Sequence, residues 1–138
     1  MPNNGSSTWR AVFQLVTTLV PLAAGMWAIH TLRSWSLVAA LLISVVVSAL
    51  LVRTFVLMHD CAHGSFFTNK RANAWLGATL GLLVFTPFAS WRHSHAVHHA
   101  TVGDLDRRGE GDVLTLTAAE YYAKGWRGRL AYRLFRNP

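Results

Sequence analysis

Histidines are the residues of this sequence best suited to chemistry, and five of the seven fall into two groups. His59 and His63 stand four residues apart in HDCAH, and His95, His98 and His99 stand at i, i+3 and i+4 in RHSHAVHH. If these segments are helical, each group occupies one narrow face, because residues three and four apart lie side by side. Imidazole nitrogens bind iron, zinc, copper and nickel, so the pattern predicts a transition-metal site without selecting the metal.

Other interpretations of these histidines are a solvated histidine-rich loop and a pH sensor. The first group alone is weak evidence, because that spacing often arises by chance, and Asp60 after the first histidine excludes the zinc-protease motif. Two groups on narrow faces favour the metal site, from which His93 is omitted. Asp60 either orients an imidazole or is a solvated carboxylate. We predict a packed thiol at Cys61 and interfacial anchoring by Trp91.

The uneven distribution of charged residues along the chain predicts the helices that position these groups. The 138 residues carry a net charge of +7, yet residues 1–58 contain three arginines and no acid. The uncharged stretches 11–32 and 34–52 are long enough to cross a bilayer as helices, which takes roughly 17–25 residues. With 14% charged residues and one cysteine, an ordinary soluble enzyme, a disordered tail and a disulfide scaffold are disfavoured.

We therefore predict transmembrane helices over 11–32 and 35–58. Buried core helices are the alternative, but a soluble chain of this size has little room to bury both. A signal peptide is the alternative for 11–32, whose apolar stretch exceeds the roughly 7–15 residues such a peptide needs. The basic residues after Val52 place both termini and the histidine groups in the cytoplasm, at a bacterial inner membrane.

A third apolar stretch, 73–89, separates the two histidine groups. It is interrupted by Gly77, Gly81 and Pro87. If both groups serve one site, this segment must enter and leave on the same side of the membrane. We predict a re-entrant or interfacial segment there, followed by the second histidine group at 95–99.

The last part of the chain combines acidic, basic and aromatic residues. We predict a solvated, ion-paired loop from the acids and arginines of 104–112, then a single interfacial amphipathic helix over 118–136 that begins with a capping box at Thr117 and Glu120. Nucleic acid is a weaker interpretation of its basic and aromatic residues than anionic membrane lipid. The predicted lipid-interface residues are Trp126, Arg127, Arg129 and Arg133.

Three segments, HDCAHGSFF, WRHSHAVHHAT and GDLDRRGEGDV, resemble the membrane fatty acid desaturases, most closely the acyl-lipid omega-6 (delta-12) type. The fold expected is all-α and integral to the membrane: a transmembrane helical hairpin extended into the cytoplasm, plus re-entrant or interfacial helices carrying the histidine boxes. The resemblance implies a lipid acyl chain as substrate, O2 as co-substrate and electrons from ferredoxin or a cytochrome-b5-type donor. It also implies a non-haem di-iron centre with five ligands: His59, His63, His95, His98 and His99.

One departure from the family pattern is the lack of a third box, H-x-x-H-H, since no histidine follows His99. Five imidazoles are too few for two irons, so we expect an N-terminal portion of a desaturase that is not competent alone. A related di-iron hydroxylase or ketolase is the alternative among enzymes, although GDLDRRGEGDV favours the desaturase. A non-catalytic membrane metal-binding or transport protein and a bis-histidine haem protein are the alternatives outside this class.

Overall fold

Helices are the only regular secondary structure in the residues that the structure describes. A computed structural model describes residues 7–109 and 113–136, and in these it contains no strand. Its helices are α1 (Thr8–Leu32), α2 (Leu37–Ala62), α3 (Lys70–Leu83), α4 (Phe88–Thr101), α5 (Ala118–Ala123) and α6 (Trp126–Arg136). The chain forms two compact units, Met1–Arg92 and His93–Pro138, and α4 continues from the first into the second.

α1 and α2 are both long and apolar enough to cross a membrane. Few of their side chains are buried, as expected of helices that lipid rather than protein surrounds. Ser36 ends the short connection between them by accepting a hydrogen bond from the Ala39 N–H at 3.2 Å. The all-α integral membrane fold predicted from the sequence is therefore confirmed.

Close contact between α1 and α2 depends on one glycine and on polar groups that are satisfied locally. A Cβ at Gly25 would lie 2.6 Å from Val47 Cγ2, so any larger residue there would have to displace the Val47 side chain. The buried Thr18 hydroxyl donates to the carbonyl of Gln14, four residues earlier, at 2.6 Å. Such bonds satisfy hydroxyls without water, which an apolar surrounding requires. Arg53 also donates to the Thr17 hydroxyl at 3.3 Å, joining the helices.

α2 continues through the first histidine box and ends in a Schellman motif. Gly64 has a φ of 68°, the left-handed conformation that glycine adopts at helix ends. Its N–H donates to the Cys61 carbonyl at 3.0 Å, and the Ser65 N–H donates to the Asp60 carbonyl at 3.1 Å. The chain therefore leaves the helix immediately after His63.

Asn73 holds the loop that follows. Its side chain is 2% exposed, and its amide nitrogen donates to the Phe67 carbonyl at 2.7 Å. Its Oδ1 accepts from the Phe67 N–H at 2.9 Å. At the start of α3, Asn69 Oδ1 accepts from the Arg71 N–H at 2.8 Å. One buried amide thus connects α3 to the segment that leaves the first histidine box.

α3 also ends in a Schellman motif, but with phenylalanine where glycine is usual. Phe85 has a φ of 53°, and the Thr86 N–H donates to the Gly81 carbonyl at 2.8 Å. The chain bends by 106° at 84–87, so α3 and α4 form either a broken span or a re-entrant segment. Pro87 follows the motif and cannot continue α3.

The core of the first unit lies where α2, α3 and the beginning of α4 meet. Met58 and Leu80 are fully buried and pack with Phe88, which is 7% exposed. The Phe88 ring lies directly on Gly77, where a Cβ would come within 2.3 Å of the ring. Gly81 is similarly close to the Thr86 carbonyl, at 2.6 Å from a Cβ. These two glycines let the chain turn back against α3.

The second unit contains the one clear difference from the predicted helices. The sequence predicted a single helix over 118–136, whereas α5 ends at Ala123 and α6 begins at Trp126. Lys124 adopts an extended backbone with a ψ of 138°, and Gly125 is a poor helix former. The predicted capping box is present at the start of α5, with Thr117 and Glu120 each bonding the other's N–H.

We predict that Gly77→Ala destabilises the protein by about 1–3 kcal/mol, because the new methyl group must displace the Phe88 ring. The matched control is Gly125→Ala, where a Cβ would meet nothing within 4 Å. Detergent-solubilised protein would be unfolded with increasing dodecyl sulfate and followed by circular dichroism. Equal unfolding midpoints for the two variants would contradict this packing argument.

Candidate metal centre

The first histidine pair lies at the carboxyl end of α2. His59 is in the last turn and His63 is the residue at which the helix ends, so the i, i+4 spacing stacks them. Their Nε2 atoms lie 3.3 Å apart and their ring centroids 4.5 Å apart. The first box therefore presents two ring nitrogens to one point, next to the core of the first unit.

The second pair lies within α4, in the second unit. His95 and His99 have Nε2 atoms 3.1 Å apart and ring centroids 4.5 Å apart. The ring of His98 is nearly parallel to that of His95, with centroids 6.2 Å apart, and is 5.7 Å from that of His99. All three predicted histidines of this box thus lie on neighbouring parts of the helix surface, as the spacing predicted.

The geometry of each pair fits a shared metal ion. Two nitrogens 3.1–3.3 Å apart, each about 2.1 Å from one ion, subtend an angle of about 100° at that ion. This angle lies between those of octahedral and tetrahedral coordination. Each pair could therefore supply two ligands to one ion, and the all-imidazole donor set suits transition metals, including iron.

Two neighbours of the first pair differ in what they offer. Asp60 Oδ1 lies 3.5 Å from His59 Nδ1, longer than the 2.7–2.9 Å of a strong charge-assisted hydrogen bond. The carboxylate is thus near the imidazole but not closely bonded to it. Cys61 is 2% exposed and belongs to the core cluster, in agreement with its predicted role as a packed thiol.

Trp91 is a site neighbour whose contacts the sequence did not reveal. The sequence favoured interfacial anchoring, but the Trp91 ring packs edge-to-face on Phe55, with centroids 5.3 Å apart. It also lies 5.8 Å from the His59 ring. Trp91 is three residues after Phe88 on α4, so both rings face the first unit. It therefore limits the orientations that His59 can adopt.

Charged residues after the second box form ion pairs, as the sequence predicted. Two residues of that prediction, Glu110 and Asp112, lie outside the residues that the structure describes. Arg107 Nε donates to Asp104 Oδ2 at 2.7 Å, and this hydrogen bond lowers the pKa of Asp104. Arg108 donates to Glu120 Oε1 at 2.8 Å, and the Thr117 N–H donates to Oε2 at 2.7 Å. The bond from Arg108 is the main cause that lowers the pKa of Glu120 to about 2.

A cavity of about 900 Å³ lies beside His98 in the second unit. Four of the residues that line it carry apolar side chains, namely Val102, Leu105, Val113 and Leu114. Arg108 and Arg136 contribute positive charge to its wall and Asp104 contributes negative charge, and Arg108 is already paired with Glu120. The space next to the second box is therefore partly apolar and is bordered by charges of both signs.

Helical histidine pairs in a membrane-spanning chain define a candidate membrane metalloprotein, and comparison with known proteins identifies its family. The fatty acid desaturase family model matches residues 33–137. The chain is 43% identical over 132 residues to a fatty acid desaturase of Bacillus subtilis (strain 168). It is 44% identical over 52 residues to an sn-1 acyl-lipid omega-3 desaturase (ferredoxin) of Synechocystis. The chain belongs to the fatty acid desaturase family.

The two relatives differ in how much of each protein the alignment covers. The Bacillus alignment covers 95% of this chain but 37% of that protein. The Synechocystis alignment covers 38% of this chain and 14% of that protein. The chain thus spans little more than a third of the length of the Bacillus relative. No solved structure matches the chain.

We predict that Trp91→Ala weakens cobalt(II) binding to the detergent-solubilised chain about tenfold, because groups packed around a ligand orient it. Trp91→Phe should retain most of the affinity, since a smaller ring can still pack on Phe55. Trp75→Ala, at a side chain that is 77% exposed, is the control. Isothermal titration calorimetry would measure the affinities, and equal values for Trp91→Ala and Trp75→Ala would contradict a positioning role.

We predict that the Arg108–Glu120 pair persists well below the pH at which glutamate normally becomes protonated. A lowered folded-state pKa stabilises the fold above the ordinary value of 4.5, and this stabilisation is lost as the pH falls through about 2. Carbon-13 carboxyl signals would report the titration, and Glu110→Gln would assign them because the sequence has only two glutamates. Arg108→Gln should move the midpoint upward. A midpoint near 4.5 in the unsubstituted protein would contradict the prediction.

Proposed function

We propose that this chain supplies two histidine boxes of a non-haem di-iron centre in a fatty acid desaturase. The reaction proposed is the O2-dependent introduction of a cis double bond into a lipid acyl chain. The observation that carries the proposal is the paired Nε2 geometry, with 3.3 Å in the first box and 3.1 Å in the second. Membership of the desaturase family gives this geometry its chemical meaning.

The proposed ligands are the five box histidines, namely His59, His63, His95, His98 and His99. Iron bound by them would supply the activation of dioxygen, which no amino-acid side chain provides. We assign Asp60 to the Nδ1–H of His59, because ligating histidines commonly give their second N–H to a carboxylate. The present 3.5 Å separation would have to shorten for that bond to form.

One shared centre requires both boxes on the same side of the membrane. We propose that 73–89 is re-entrant, and that both termini and both boxes face the cytoplasm of a bacterial inner membrane. The 106° bend after α3 supports this path, as does the Schellman motif that causes it. The excess of basic residues after Val52 supports the cytoplasmic side through the positive-inside rule.

The substrate and electron donor are proposed from the relatives and from the cavity beside His98. An acyl chain suits the four apolar side chains of that cavity, and Arg136 is the lining arginine offered to a lipid headgroup phosphate, since Arg108 is paired with Glu120. Relatives from Synechocystis and Helianthus annuus carry ferredoxin and acyl-lipid in their names. We therefore favour an acyl-lipid substrate and a ferredoxin donor over a cytochrome-b5-type donor.

The experiment that tests the proposal is a chimera with the Bacillus relative. The matched 132 residues of that protein would be replaced by those of this chain, since the two are 43% identical there. Expressed in a strain without its own desaturase, the chimera should form unsaturated acyl chains, detected by gas chromatography and mass spectrometry. This chain expressed alone should form none, because it lacks the third histidine box.

Variants of the chimera test the ligand assignment. His59→Ala and His99→Ala should abolish double-bond formation and lower the iron content of the purified protein, whereas His93→Ala and His30→Ala should preserve both. Loss of activity without loss of iron would contradict ligation by that residue. Hydroxylated instead of unsaturated products would favour the related hydroxylases, and an inactive chimera that still binds iron would favour a metal-binding protein.

A further inference from the structure

Helix α6 has its apolar side chains on the outside of the second unit. Trp126, Leu130 and Leu134 recur every four residues and so form one stripe along the helix. Their exposed fractions are 65%, 49% and 73%, and none of the residues of α6 is buried. An amphipathic helix of a soluble domain normally turns such a stripe toward the core. In this unit the apolar stripe is exposed on the surface, where it can contact only a surrounding surface or molecule.

Tyr132, on the opposite side of α6, contacts the rest of the unit, while Phe135 on that side is 66% exposed. Tyr132 lies about 160° around the helix from Leu130. Its hydroxyl accepts a hydrogen bond from the Leu116 N–H at 3.1 Å, and its ring lies 5.8 Å from that of Tyr121. The contacts of Tyr132 therefore fix the rotation of α6 about its axis and hold the apolar stripe outward.

Arginines border the stripe on both sides. At 100° per residue, Arg127 and Arg133 each lie about 60° from Leu130, in opposite directions around the helix. The Arg127 guanidinium lies 5.2 Å from the Trp126 ring, and that of Arg133 lies 5.8 Å from the Tyr121 ring. The sequence of α6 contains no acid, and Arg129 and Arg136 add to its positive charge.

We propose that α6 lies in the surface of an anionic lipid leaflet. Trp126, Leu130 and Leu134 enter the boundary between headgroups and acyl chains, while Arg127 and Arg133 contact lipid phosphates on either side. A narrow apolar stripe flanked by long cationic side chains is the pattern of interfacial helices. The two membrane-spanning helices of the same chain keep α6 close to a bilayer, so a lipid surface is present at high local concentration.

The test places a nitroxide label at position 130 of the full chain in lipid nanodiscs. Leu130→Cys can be labelled selectively because the only native cysteine, Cys61, is 2% exposed. In nanodiscs that contain phosphatidylglycerol, the label should collide more with oxygen, which concentrates in lipid, than with a water-soluble nickel complex. A label at Ala131, on the same helix but about 100° away, is the matched control and should favour the nickel complex.

Substitution of the bordering arginines tests the role of charge. Each arginine near an anionic surface contributes a factor of about five to membrane partition. Arg127→Gln with Arg133→Gln should therefore lower the ratio of inserted to free α6 about 25-fold, whereas lysine at both positions should largely restore it. Circular dichroism of each variant would verify that helix content is unchanged.

Any of three outcomes would overturn the proposal. The first is that the label at position 130 stays accessible to the nickel complex in both anionic and neutral nanodiscs. The second is that α6 inserts equally into neutral and anionic nanodiscs and equally after both arginines are replaced. The third is that the label is protected only when ferredoxin is added, which would assign the stripe to a protein partner instead of lipid.

Discussion

The contact between the Phe88 ring and the backbone of Gly77 determines how the chain travels from the first histidine box toward the second. Only a residue without a Cβ leaves space for the ring, and Gly81 gives the same freedom to the Thr86 carbonyl. Once Phe88 is seated, Trp91 follows one turn later and comes to lie against Phe55 and beside His59. This packing contact thereby shapes the surroundings of the first box.

A second constraint is that polar groups near the bilayer need partners within the chain. The two Schellman motifs satisfy the carbonyls at the ends of α2 and α3, and Asn73 bonds both backbone groups of Phe67. Threonine hydroxyls within the spans bond to their own helix. The first histidine box therefore lies at the end of a helix that backbone hydrogen bonds define.

Periodic and local features of the sequence predicted most of this architecture. Uncharged stretches predicted the spans, and the four-residue spacing predicted the stacking of His59 on His63. Thr117 and Glu120 predicted the capping box of α5, because such signals act within one turn. The sequence did not reveal the contacts of Trp91, because Phe55 and His59 are distant from it in sequence. It did not reveal those of Asn73, because they are made to the backbone of Phe67. The helix predicted over 118–136 was wrong in its continuity, since one glycine after an extended lysine outweighed the helical pattern on either side. The metal role of the histidines stays a prediction.

Phe85 matters for its backbone conformation and not for the packing of its side chain. Its side chain is 94% exposed while its backbone occupies the left-handed region, so this position is constrained by its φ angle and not by packing. Among variants of this chain, tolerance at position 85 should follow the ability to adopt a positive φ, with glycine and asparagine accepted more readily than valine or isoleucine. A substitution profile interpreted by hydrophobicity alone would therefore assign a core role to a residue whose contribution is the turn itself.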